Sequence, residues 1–358
     1  MTIHSHSRKL TAGYTLVELM IAIALGLILL AGVATIFVQN NRSFNEIDRA
    51  NQQVENGRYA LQIMTDGLSN AGYLAEFNPN LITATPTTKP DVCSSDLTKL
   101  IKALPFAIQG YDDESTESKP TTCLSDIRTG TDIIVVRRAS NCAIGDTDCD
   151  AVVAGAPYFQ ASTCGSSTEL SSSDVTNFYK LDTNTANLTL HKKDCNPPTT
   201  AGTIAPYHRY LTHIYFIANN DKDSDGIPTL KRAELGAGGF TIVPMVDGVE
   251  NLQIEYGIDT DSSGTPTSYT ADPDQFNDCK NTPTPPCTTY WRNTVAVKLY
   301  LLVRSTTTSP GYSTDKTYNL GLKFDGSTNT VGPFSDAYKR HVYQSVVRLN
   351  NVAGRNTP

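Results

Sequence analysis

The chain has 358 residues, enough for two average domains or for one large domain with a non-globular element. Its 29 Lys+Arg against 36 Asp+Glu give a formal net charge of −7, which excludes nucleic-acid binding through bulk positive charge. Hydrophobic residues make up 39% and charged residues 18%; the remainder, rich in Thr, Ser, Asn, Gly and Pro, suits a polar, turn-rich β protein and not a disordered acidic chain. Only one apolar run is long enough to cross a bilayer, so a polytopic membrane protein is excluded too.

That run is Leu19 to Val38, twenty residues without a charge and without proline. At about 1.5 Å per helical residue it covers about 30 Å, the thickness of a hydrocarbon core. It is too long for the h-region of a cleaved secretory signal, and no A-x-A site closes it. Arg8 and Lys9 precede it while Arg42, Arg49 and Arg58 follow, so basic residues do not orient it. Cysteines do. All eight (Cys93, Cys123, Cys142, Cys149, Cys164, Cys195, Cys279 and Cys287) lie after the run, which places that side in an oxidising compartment and the short N-terminus in the cytoplasm.

Glu18 stands at the head of this apolar helix, where a carboxylate needs a reason. Its surroundings, Ala12-Gly13-Tyr14-Thr15-Leu16-Val17-Glu18, resemble the leader of type IV pilins and the related pseudopilins: a short basic segment, a glycine, an aromatic residue, and glutamate at the fifth position of the mature helix. The resemblance implies that prepilin peptidase cuts between Gly13 and Tyr14 and that Tyr14 becomes the N-methylated first residue; the family's usual aromatic there is Phe. Removal of residues 1–13 takes away Arg8 and Lys9 and no acid, moving the formal charge from −7 to −9. On this reading Glu18 meets the terminal amine of a neighbouring subunit during assembly, since both charges lose water and an unpaired buried charge costs several kcal/mol.

The helical pattern continues past the span, with apolar or small residues at Ile47, Ala50, Val54, Gly57, Leu61, Met64, Leu68 and Ala71. This predicts a helix that is apolar all round over 14–38 and amphipathic over 39–75, burying one face on a sheet. Residues 76–358 read as a β-rich globular domain in the periplasm or outside the cell. Predicted strands are Asp132–Arg138, Asn187–His191, Tyr210–Ala218, Val249–Tyr256, Thr294–Arg304 and Val342–Leu349, of which Val295, Val297, Leu299, Leu301 and Val303 alternate most cleanly. The fold class is α+β and pilin-like, an antiparallel sheet domain behind a long N-terminal helix, with disulfide-stapled loops.

Five segments resemble the PilW family of minor pilins: 55–73, 227–235, 243–261 (VPMVDGVENLQIEYGIDTD), 290–305 and 339–351. The family implies a part in priming the type IV pilus and in its tip complex, supporting twitching motility and adhesion. Implied partners are other minor pilins, the major pilin, a large tip adhesin, the prepilin peptidase, the inner-membrane assembly platform, and membrane lipid before assembly. A type II secretion pseudopilin, or a tethered ligand-binding module, shares the same N-terminal features. A subunit at the extreme tip has none above it and so could dispense with the acid; the presence of Glu18 implies at least one subunit above this one.

Spacing favours Cys93–Cys123, Cys142–Cys149, Cys164–Cys195 and Cys279–Cys287 among the 105 possible pairings. The turn holding Asp221, Asp223 and Asp225 has a D-x-D-x-D-G rhythm that makes calcium conceivable. Its twelfth position, however, is Arg232 where an EF-hand needs glutamate, and a polar hairpin turn is the better reading. Catalysis finds no support: His4 and His6 lie in the leader, His208 and His213 fall on opposite strand faces, and no hydrolase or phosphate-binding motif occurs.

Overall fold

The structure, a computed structural model, describes residues 13–83, 86–114, 117–195, 203–222, 224–282 and 284–356. Helix α1, Leu16–Ser69, is unbroken over 54 residues, with Gly26 and Gly32 accommodated and Thr35 bonding back to the Gly32 carbonyl at 2.7 Å. The chain divides between Asn51 and Gln52 into two compact units. In the first, the apolar side chains of α1 are exposed, from Leu16 at 75% through Leu29 at 71% to Phe37 at 64%.

In the second unit the last turns of α1 bury Gln53, Gly57, Ala60, Met64 and Leu68. The predicted stripe is therefore corrected: Ile47 and Val54 are 59% and 39% exposed, Ala50 is exposed too, and Gln53 and Ala60 are buried where Val54 and Leu61 were expected. At Gln53 the reason is polar: its amide donates to the Val303 and Lys339 carbonyls at 2.7 and 2.9 Å, two bonds that a valine could not make. Glycines set the closeness of the seat. A Cβ on Gly57 would stand 2.2 Å from the Tyr343 ring, and one on Gly67 would stand 2.7 Å from the Tyr215 hydroxyl.

The globular unit holds two sheets, antiparallel throughout. The first comprises β1 Ile108–Tyr111, β2 Ile133–Ala143, β3 Tyr158–Ala161, β4 Tyr179–Asp182, β5 Tyr207–Ala218, β6 Thr229–Gly236 and β7 Gly239–Asp247. Its order is β1-β2-β5-β3-β4, with β6 on the remaining length of β5 and β7 beside β6. The second contains β8 Val249–Ile258, β9 Ser268–Thr270 and β10 Thr294–Arg304. A separate hairpin follows, β11 Tyr318–Leu322 with β12 Thr328–Val331, and then β13 Arg340–Arg348 completes the second sheet in the order β13-β10-β8-β9. Ala60, Met64 and Leu68 enter one core cluster with Val136 and Tyr215 of the first sheet and Ile254, Leu299 and Leu301 of the second.

Strand β10 falls where alternation placed it, and β2, β5, β8 and β13 differ from expectation only at their ends. The predicted strand Asn187–His191 is a correction. Asn184 accepts from the Ala186 amide and opens a 3-10 turn over Thr185–Asn187, a local side-chain bond that competes with a ladder. Leu190 donates its amide to the Gln160 side chain at 3.0 Å, and His191 makes only an isolated bridge to Ile204.

Two buried charge clusters join the elements. Arg340 of β13, 1% exposed at its side chain, donates to both Glu250 oxygens at 2.5 and 3.1 Å and to both Asp336 oxygens at 2.6 and 2.7 Å. Burial opposes its charge, but these four bonds overcome that and hold its pKa above the ordinary value. Elsewhere Asp112, Asp132 and Asp272 lie buried near Tyr256. Burial pushes the Asp112 carboxyl up to about 7, with Asp113 and Asp272 adding to the shift, and the Asp272 carboxyl up to about 6, with Asp274 adding.

Three outcomes follow from this packing. Gly57→Ala adds helix propensity yet should lower stability by about 1–3 kcal/mol, because the Tyr343 ring must give way; chemical denaturation of the full chain measures it. Glu250→Ala should cost about 3 kcal/mol by removing the carboxylate that Arg340, Arg304 and Arg128 share and leaving Arg340 with Asp336 alone, read in the same titration. Asp112 and Asp272 ionise later in the folded chain than in the unfolded one, so their contribution is undiminished below about pH 4 and lost as pH rises towards about 7. Asp112→Asn should therefore raise the melting temperature more at pH of about 8 than at about 4.

Candidate functional site at the N-terminal helix

Gly13, Tyr14 and Thr15 precede the first helical residue, Leu16. Tyr14 is 92% exposed, and a Cβ built on Gly13 meets nothing within 4 Å. The Gly13–Tyr14 bond is thus outside the helix, uncovered and sterically open, as a peptidase requires of its substrate.

Glu18 occupies the third helical position. One of its carboxylate oxygens accepts from the Thr15 backbone amide and from the Thr15 hydroxyl, both at 2.9 Å. The Glu18 amide in turn donates to Thr15 Oγ1 at 3.2 Å. This is a reciprocal capping box. Its signal, T-x-x-E before an apolar run, is plain in Thr15-Leu16-Val17-Glu18, and it gives the acid a second duty beside the one expected in assembly. A carboxylate here also faces the positive end of the helix, worth roughly 0.3–1 kcal/mol. The chain accordingly gives Glu18 a partner of its own.

Around it, an 18-residue window of α1 reaches a mean hydropathy of 2.8 with none of it buried, so the helix is long and apolar enough to cross a membrane.

The eight cysteines meet as Cys93–Cys123, Cys142–Cys149, Cys164–Cys195 and Cys279–Cys287, with Cα–Cα distances of 5.4, 5.7, 5.1 and 5.2 Å. Each lies on the globular unit, closing a loop of the β-rich part. In the acidic turn, Asp225 spends one oxygen on the Asp221 and Ile227 amides and the other on the Lys222 amide. These backbone bonds hold its pKa below the usual carboxylate range. They are the bonds of a polar turn, and Asp225 has little left for a cation shared with Asp221; Asp223 lies outside the described residues. Among the described residues, carboxylates within 4.8 Å of one another occur instead at Asp112, Asp113 and Asp132. Both Asp132 oxygens there accept amides, from Asp113 and Ile254.

Histidines give no catalytic geometry. Burial and then the cations of Arg232, Arg138 and Arg209 lower the His213 pKa to about 3, so it is neutral. His208 sits against the Cys142 carbonyl at 3.2 Å. A constellation that no sequence motif announces joins Ser162, Glu169 and His191, but Ser162 donates to Glu169 and His191 Nδ1 meets the other Glu169 oxygen at 2.6 Å. The carboxylate stands between hydroxyl and imidazole, so the imidazole does not reach the hydroxyl and the Ser–His contact of a nucleophilic triad is not made.

Comparison with known proteins places these features. The family model described as type IV pilus-assembly protein W matches residues 214–351, and that of the prokaryotic N-terminal methylation motif matches residues 8–34. No curated protein matches the chain. A solved structure, the type IV-like pilin TTHA1219 from Thermus thermophilus, aligns over 62% of this chain and 78% of its own at 11% identity, with a TM-score of 0.25. The matched segments contain the cap at Glu18 and both partners of the Glu250–Arg340 pair. The methylation motif at its start and the pilus-assembly segment in its C-terminal part are what this chain shares with PilW-like minor pilins of the type IV pilus.

Proposed function

We propose that this chain is a minor subunit of the type IV pilus that helps prime assembly and forms part of the tip complex, in support of twitching motility and adhesion. Before assembly, residues 14–38 lie in the inner membrane, the N-terminus faces the cytoplasm and the disulfide-bearing domain faces the periplasm. Prepilin peptidase cuts between Gly13 and Tyr14 and methylates the Tyr14 amine, which keeps its charge. Extraction into the filament then brings Glu18 to the terminal amine of an adjoining pilin, and a subunit above this one supplies or receives that contact. The other minor pilins, the major pilin, the assembly platform and a large tip adhesin are its partners in this reading.

One observation carries the proposal: a helix whose apolar first half is exposed and that begins with a capping acid and an open Gly–Tyr bond. The orientation is supported by four disulfides on one side of that helix.

Mass spectrometry of the mature chain should find a methylated Tyr14 as its first residue; any other start overturns the reading. Glu18→Gln and Glu18→Ala separate the two duties of the acid. Gln keeps a hydrogen-bond acceptor for the Thr15 amide but carries no charge. Both variants should be lost from sheared pili, by about tenfold or more for a buried amine left unpaired. Incorporation of the Gln variant at the unsubstituted level would reduce Glu18 to a helix cap.

A further inference from the structure

A cavity of about 300 Å³ lies on the outer face of β8, between the β11–β12 hairpin and the turns at Asp113–Glu114 and Arg128–Gly130. Small-molecule sites run from about 300 to 1,000 Å³, so this one has room for a single ring-sized ligand. Its charges are largely spent on one another. Lys323 meets Glu114 at 3.2 Å, bridging hairpin and turn, and Arg128 meets Glu250 at 3.4 Å. A small anion would have to take a cation from an existing pair.

Neutral hydrogen-bonding groups are left. Asn329 Nδ2 donates to Gln253 Oε1 at 3.0 Å, and Gln253 Nε2 donates to Asn251 Oδ1 at 3.0 Å and to the Gly130 carbonyl at 3.1 Å. This chain fixes the amides in orientation and uses one end of each outer member. Asn251 Nδ2 remains a donor and Asn329 Oδ1 an acceptor, and the hydroxyls of Thr129 and Thr330 stand beside them in the lining. Asp113 adds a carboxyl, and Leu302, Val331 and Phe334 add an apolar wall. Fixed amides, hydroxyls and one carboxyl opposite an apolar surface match a molecule with hydroxyls on its rim and C–H groups on its face.

We propose that this cavity binds one sugar ring of a neutral saccharide, its hydroxyls on Asn251, Asn329 and Asp113 and its C–H face towards Phe334 and Val331. The site goes beyond the pilus reading and is independent of it, since it requires only the folded globular unit.

Saturation-transfer NMR on the full chain tests it, in micelles of a detergent without a sugar headgroup. The probes are D-glucose, D-galactose, D-mannose and N-acetyl-D-glucosamine, each at about 10 mM, well above a millimolar Kd. At least one should show transfer to its ring protons. That signal should weaken about three- to tenfold in Asn251→Leu, the loss of one hydrogen bond. Thr330 is exposed, so Thr330→Val removes a hydroxyl from the rim without touching the fold and should weaken it likewise. Transfer from none of the four sugars, or transfer unchanged in both variants, overturns the proposal.

Discussion

The constraint on which this protein rests is that the first turns of its helix cannot remain in water. Thirteen large apolar side chains lie between Leu19 and Val38, and nothing among the described residues covers them. At about 1.5–3 kcal/mol each, their exposure amounts to roughly 20–40 kcal/mol, more than the 5–15 kcal/mol that holds a typical domain together. No rearrangement of the globular unit could offset that. The helix must always have an apolar solvent, whether lipid or other helices of its kind, and the proposed passage from membrane to filament would supply both in turn.

The same helix changes its rules at Gln53. Over Leu19–Val38 its side chains are apolar on every side and exposed; from Gln53 on, one narrow stripe is buried and the backbone approaches the sheets closely. Small residues make this possible. In the fold, Gly57 and Gly67 are where Tyr343 and Tyr215 come nearest. An amide at Gln53 ties α1 to β10 and to the residue before β13, and Asn56 adds a bond to the Asp247 carbonyl at 3.1 Å. Helix and sheets are joined by polar bonds at the edge of the contact and by Ala60, Met64 and Leu68 at its centre.

Legibility in the sequence follows the range of the forces. Strand β10 is readable because alternating Val and Leu over eleven residues answers to one buried face, a short-range signal. The stripe on α1 is readable from Gly57 on to within a residue and fails before it, at Ile47 and Ala50, which are exposed, and at Val54, where a distant pair of carbonyls decides for Gln53. Asn187–His191 misleads because apolar alternation at Leu188 and Leu190 is real, while Gln160, thirty residues away, takes the backbone bond a strand would use. The segments 243–261 and 339–351 stand out in the sequence without an evident reason. Glu250 and Arg340 give one: two charges ninety positions apart that are buried only because they meet. At the N-terminal site the leader and the acid are legible, whereas the capping box hides behind the stronger explanation that assembly offers for Glu18.

Those two explanations of Glu18 concern different states of the chain, and their energies decide how they relate. A cap is worth about 0.5–2 kcal/mol and is made with a hydroxyl and an amide of the same helix, one turn away. It orders the start of the helix while that start sits in the headgroup layer. In a filament core the alternative is a buried, charged amine, whose lack of a partner costs several kcal/mol. The greater energy prevails, so the carboxylate should turn to the amine whenever one is presented. Because Thr15 Oγ1 also accepts the Glu18 amide, the first turn keeps part of its cap after the carboxylate has left. The acid can therefore change partners without unravelling the helix it heads, which is what the proposed passage from bilayer to filament demands of it.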